Sequence, residues 1–273
     1  MWKLIKMDTY RLFSGKALKI GTILACAAAI VYVFFSLGII TLSKVAFQQD
    51  PAVAYTLGEL LSQIYWMNGV DFAEVVFQGT SVFALFIGCM ITANFIGSEQ
   101  SCGFAKNYAG QLTNKGYMAV SKFLVTSSVQ VLILALYVII ITVLAKLFLG
   151  QYISGYDMKE LFAALGLRAL LHIAINAIII FICTFTRSHA IAMVVGSIFG
   201  IGITRFVYIA IGLLLRLMKV NFQIADYMPD GVNSQLAIGE IGSLYGKAIA
   251  VSLVVIVVFV SANFYLMRRR DVK

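Results

Sequence analysis

The sequence predicts an all-α membrane protein with six transmembrane helices, and three observations predict it. Six apolar stretches fill most of the 273 residues. Each is close to the roughly 20 residues that cross a bilayer as a helix. Charged residues make up only 12% of the chain against 61% hydrophobic, so little chain remains for a soluble domain. A soluble domain carries about twice that charge. Lysine and arginine crowd the same side of nearly every stretch, as expected when cations are retained on the cytoplasmic side. The mean hydropathy of +0.94 agrees. The whole chain, 1–273, reads as one transmembrane domain.

The first segment, 1–18, carries Lys3, Lys6, Arg11 and Lys16. On a helical wheel Trp2, Ile5, Leu12 and Phe13 share a stripe, opposite Lys3, Asp8 and Arg11. Leu4, Met7 and Tyr10 interrupt the pattern. A basic helix of this kind is expected to lie in the membrane interface. The spans are expected at 19–42, 79–97, 122–148, 162–186, 190–217 and 246–267. Ala25-Cys26-Ala27 superficially resembles a cleavage site, but the apolar run continues past it, so this is read as an uncleaved span.

Six spans put both termini on one side. Placing them in the cytoplasm puts 13 of the 21 Lys+Arg inside: Lys3, Lys6, Arg11, Lys16, Lys19, Lys106, Lys115, Lys122, Arg187, Arg268, Arg269, Arg270 and Lys273. Of the acids only Asp8, Glu99 and Asp271 fall inside. The net charge of +9 is thereby explained by topology and anionic lipid rather than nucleic acid.

Two outer segments are long. In 47–78, Leu57, Leu60, Leu61 and Ile64 form a helical stripe, and Tyr65 and Trp66 suit an interfacial position. In 220–246, Pro229, Gly231, Gly239, Gly242 and Gly246 interrupt an apolar background, predicting short, broken helices.

The search for chemistry is mostly negative. There is no phosphate-binding G-x-x-x-x-G-K-[ST], no H-E-x-x-H and no G-x-S-x-G. Cys26, Cys89, Cys102 and Cys183 show neither a CxxC pair nor metal spacing. His172 and His189 sit on different spans without a neighbouring carboxylate. No acid lies near a span centre, which weighs against an ion-coupled carrier. No catalytic or cofactor residue is expected.

Arg205 stands in the middle of the fifth span and is expected to face the bundle interior, water or a partner. It is read either as lining a translocation path, with Asn176, or as a charge paired with carbonyls, Asn176 or a partner. Arg168 and Arg216 lie nearer the outer ends and are expected to snorkel. Gly196 and Gly200 form a GxxxG that permits close helix contact.

The most specific stretch is the loop 98–121 between the second and third spans. A glutamate at the membrane edge, Glu99, is followed by Gly103, Lys106 and Asn107. A turn at Thr113 to Gly116 carries Asn114 and Lys115, and Lys122 opens the next span. A short helix held between two spans could press on a cytoplasmic partner and move both.

This loop resembles that of the permease subunits of type-2 ABC exporters. Glu99, Gly103, Lys106, Lys115 and Lys122 fit the family pattern, whereas the turn, Leu-Thr-Asn-Lys, departs from the Pro and Ser-Arg often found there. The layout is similar too: a basic N-terminal helix, six spans, a coupling helix between spans 2 and 3, and short outer helices before the last span. The resemblance implies that Glu99, Gly103, Lys106, Asn107, Asn114, Lys115 and Lys122 couple the spans to a separate ATPase. That ATPase, in two copies, would hold the ATP and Mg. A second permease, the same chain or a related one, would complete the path. Permeases of this build often export, or give immunity to, antimicrobial peptides, so an amphipathic peptide is the implied cargo. The alternative is a non-transporting immunity or sensor protein that captures peptide at its outer surface, or an ATP-independent carrier.

Overall fold

A computed structural model describes residues 1–49, 77, 80–101, 114–149, 158–220, 222–236 and 241–269. Nine α-helices are present among them: α1 Trp2–Ser14, α2 Lys16–Gln49, α3 Leu85–Ser101, α4 Gly116–Leu149, α5 Met158–Thr186, α6 His189–Ile201, α7 Thr204–Leu217, α8 Pro229–Gln235 and α9 Ile241–Arg269. A π-helical turn, Thr80–Ala84, leads into α3, and a 3-10 turn, Ile224–Tyr227, precedes α8.

Five helical stretches are long and apolar enough to cross a membrane: Lys16–Phe35, Val82–Glu99, Gly116–Leu144, Lys159–Thr186 and Leu244–Arg269. The pair α6 and α7 makes a sixth if it is one span, but it is bent by 74°. The protein is therefore a multi-pass membrane protein. The uninterrupted fifth span expected over 190–217 is a broken one. Gly202 causes the break: at φ +81° it adopts the left-handed conformation that glycine reaches without steric penalty. The amides of Gly202 and Ile203 both return to the Ile198 carbonyl, which terminates α6.

The helices are held in a bundle by residues that let them approach. The most extensive packing is α3 on α6 and α9 on α5. Gly196 and Gly200 face α3, and a Cβ at Gly200 would stand 2.6 Å from the Phe86 Cα. The GxxxG thus closes a contact within the chain. The main core gathers Ala25, Ile87, Ile133, Tyr137, Ile175 and Cys183 from four helices, α2 to α5. A second core joins Leu167 and Leu171 of α5 to Val232 and Leu236 at α8 and Ala248 of α9. Cys89 and Cys183 are buried as packing residues.

Long-range contacts define two ends of this bundle. At one, α1 meets the end of α3 and the start of α4, Gly97 of α3 packs on His189 of α6, and Tyr117 meets Phe264 of α9. At the other, α5 meets α8, and Lys247 of α9 pairs with Asp226 at 3.0 Å. The segment 220–246 does contain short broken helices, and Pro229 occupies the first turn of α8, where its missing N–H costs nothing.

Two charged residues turn inward against expectation: Asp8, expected on the polar side of α1, and Arg168, expected to snorkel. The inward face of α1 is Leu4, Asp8 and Leu12, one residue per turn, while Trp2 and Phe13 are exposed. Asp8 turns inward because a hydroxyl of α4 receives it. Arg168 does not snorkel. It is fully buried, donates from Nε to Asn233 Oδ1 at 3.2 Å and to the Phe77 carbonyl, and lies 3.4 Å over the Phe77 ring. Polar and aromatic partners inside the protein outcompete water for its guanidinium.

Candidate functional site

Glu99 ends the apolar face of α3, two residues before its last residue, Ser101. A carboxylate there faces the negative end of the helix dipole. Two cations compensate. Lys122 Nζ, from α4, donates to Glu99 Oε1 at 2.5 Å, and Arg11 of α1 donates to Oε2 at 3.0 Å. Arg11 also lies 4.9 Å over the ring of Phe95, one turn earlier on α3. Asp8 completes the group: its Oδ2 accepts from Ser121 Oγ at 2.6 Å, and its Oδ1 is 3.6 Å from Arg11.

Two acids and two bases thus lie at the meeting of three helices, and their formal charges cancel. Glu99, Lys122 and Asp8 are all buried, and Arg11 is partly exposed. Buried pairs of this kind repay their desolvation only when the geometry is good, and they are best understood as fixing register. Burial raises the Asp8 carboxyl above its ordinary value, against the opposing pull of the Ser121 hydroxyl and Lys122.

The arrangement is a latch at the roots of one loop. Glu99 closes the helix before residues 102–113 and Lys122 lies in the helix after them. Asn114 Oδ1 accepts from the Gly116 amide at 2.9 Å, and the Tyr117 amide returns to the Asn114 carbonyl, so the expected turn there caps α4. Lys115 is half-buried in that turn. Gly103, Lys106 and Asn107 lie outside the described residues, as do the expected helix between spans 2 and 3 and the stripe from Leu57 to Ile64. Glu99 and Lys122 are buried and tie α3 and α4 together rather than presenting a surface.

A second polar group crosses the bundle between α4 and α5. Asn176 Nδ2 donates to Thr126 Oγ1 at 2.9 Å and to Ser127 Oγ at 3.1 Å, and Gln130 Nε2 lies 3.4 Å from His172 Nδ1. All five are buried. Such bonds hold spans together. Asn176 and Arg205, expected on one path, are in different surroundings: Arg205 is exposed at the start of α7 and lines a cavity at the opposite end. Sequence reasoning missed Asp8 and Ser121. The available signal was Leu4, Asp8 and Leu12 at one-turn spacing.

Among the described residues no group of three His, Cys, Asp or Glu side chains could hold a metal ion. No family model matches the chain, and no curated protein matches it either.

Proposed function

We propose that this chain is the membrane-spanning subunit of an ATP-driven type-2 ABC exporter. In this reading a separate ATPase docks beside residues 102–113 and α1, a second permease completes the path, and the cargo is an amphipathic peptide. The observation that supports it most is the latch. Glu99 ties the roots of α3 and α4 to each other and to α1. A push on the loop or on α1 would then move two spans as one body, which a subunit driven from outside the membrane requires. The short helices after α7 also agree with the short outer helices that the resemblance implies before the last span.

The test is co-purification of the mildly solubilised chain with the P-loop ATPase encoded beside it. The expected result is a stable complex with vanadate-sensitive ATP hydrolysis in lipid. A chain that never associates with an ATPase, or that moves cargo without ATP, overturns the reading.

A further inference from the structure

The end of the bundle opposite the latch holds a cavity of about 640 Å³ between α7 and residues 222–234. Its α7 wall is Arg205, Tyr208, Ile209, Gly212, Leu213 and Arg216. These are positions i, i+3, i+4, i+7, i+8 and i+11, a single stripe of the helix. The middle is apolar and each end is a guanidinium, about 16 Å apart along the axis by helical rise. Phe222 and Ile224 extend the apolar wall on the facing side.

The charge on this wall is unbalanced. Among the described residues neither Arg205 nor Arg216 is within salt-bridge distance of a carboxylate. Among the described residues two acids lie nearby, and neither pairs with these arginines. Asp230 accepts from the Thr204 hydroxyl, and from Tyr208 Oη at 2.8 Å. Asp226 accepts from Gln235 Nε2 at 2.8 Å and pairs with Lys247, and these contacts hold its carboxyl below the ordinary value. A Cβ at Gly212 would meet nothing within 4 Å, so the middle of the stripe is open space.

We propose that this cavity binds an anionic phospholipid. Guanidinium matches phosphate in bidentate geometry. The apolar centre between the arginines takes the upper part of an acyl chain, and exposed Phe206 and Leu217 extend the Leu213 edge of that surface. A phospholipid is the amphiphile that a multi-pass membrane protein meets at the highest concentration. The site does not depend on the chain's being an exporter subunit, and its test uses no ATPase.

The test is lipid retention by the purified full chain in mild detergent, with phosphatidylglycerol and phosphatidylcholine as probes, read by native mass spectrometry. Phosphatidylglycerol is expected to be retained about tenfold better, a preference that falls as salt rises. Arg205→Gln with Arg216→Gln should abolish the preference. Gly212→Leu, which fills the open centre and leaves both charges, should weaken retention by a similar factor. Lys219→Gln, off the wall, should change nothing. Thermal unfolding of each variant checks its fold, and the salt dependence of the wild type stands without any variant. Equal retention of the two lipids overturns the proposal. So does undiminished phosphatidylglycerol retention in the folded double variant or in Gly212→Leu. Capture of an acidic peptide without lipid preference, or a change in oligomeric state with unaltered lipid retention, assigns the wall to another occupant and overturns it too.

Discussion

At the scale of single residues, the Glu99 carboxylate decides how three helices meet. Removing it leaves Lys122 buried without its partner. Glu99→Ala is therefore expected to cost about 3–5 kcal/mol. Replacing both members by apolar groups, Glu99→Leu with Lys122→Met, should recover much of that loss, since no buried charge is stranded. Thermal unfolding in detergent measures both; a double variant no better than the single one would contradict the account. Asp8 gives a pH prediction. Its carboxyl is raised by burial, so the protonated form is favoured in the folded state. The stability it contributes is present below its ordinary value of 3.8 and is lost as pH rises through the folded value. Asp8→Asn should remove that component. The wild type should lose stability relative to the variant as pH rises above the ordinary value of 3.8, and parallel curves would refute the sign. The sequence made Glu99 and Lys122 legible because charges at the margins of apolar runs are conspicuous. It hid Asp8, because a helical wheel assigns charge to solvent, while the partner that turns Asp8 inward is Ser121, 113 positions away. Arg168 was hidden for the same reason, since Asn233 is 65 positions distant.

At the scale of elements, apolar length and turn chemistry carried most of the information. Five of the expected spans correspond to helices long enough to cross, and the broken helices after α7 follow from their proline and glycine content. The 74° bend was not legible. Glycine is common in membrane helices, and Gly200-Ile201-Gly202 reads equally as a close contact or as a stop. The two glycines divide these roles: Gly200 lies against Phe86, and Gly202 adopts the positive φ. The prediction is specific to that division. Gly202→Ala should destabilise by about 1–2 kcal/mol because an ordinary side chain resists the left-handed region, whereas Gly202→Asn should be milder. Thermal unfolding distinguishes them, and equal effects would mean that conformation is not the cause. The 98–121 loop was the most specific motif in the sequence, yet the structure describes only its roots. There the latch and the Asn114 cap explain why Asn114 and Lys122 stand where they do.

At the scale of the whole molecule, the chain has two differently charged ends joined by tightly packed helices. One carries the neutral latch, built from α1, α3 and α4. The other carries the cationic cavity beside α7. Between them α3 and α5 are largely buried, whereas α2 and α9 present broad apolar faces outward, as lipid or a second subunit requires. α3, rooted in the latch, is packed along α6 up to the bend. The five or six candidate spans were legible because bilayer thickness imposes their length on the sequence; the pairing of helices was not, because long apolar helices offer many equivalent faces.

The most direct test of the central claim is vanadate-sensitive ATP hydrolysis in lipid by the chain assembled with a P-loop ATPase of the kind the proposal requires. The wild type would be compared with Lys115→Glu and with the apolar pair Glu99→Leu and Lys122→Met. The account predicts a stable complex in each case, with hydrolysis shifted at least about fivefold when the loop or its latch is altered. Absence of any complex, or identical hydrolysis in all three, would contradict it and leave the peptide-capturing membrane partner as the better reading.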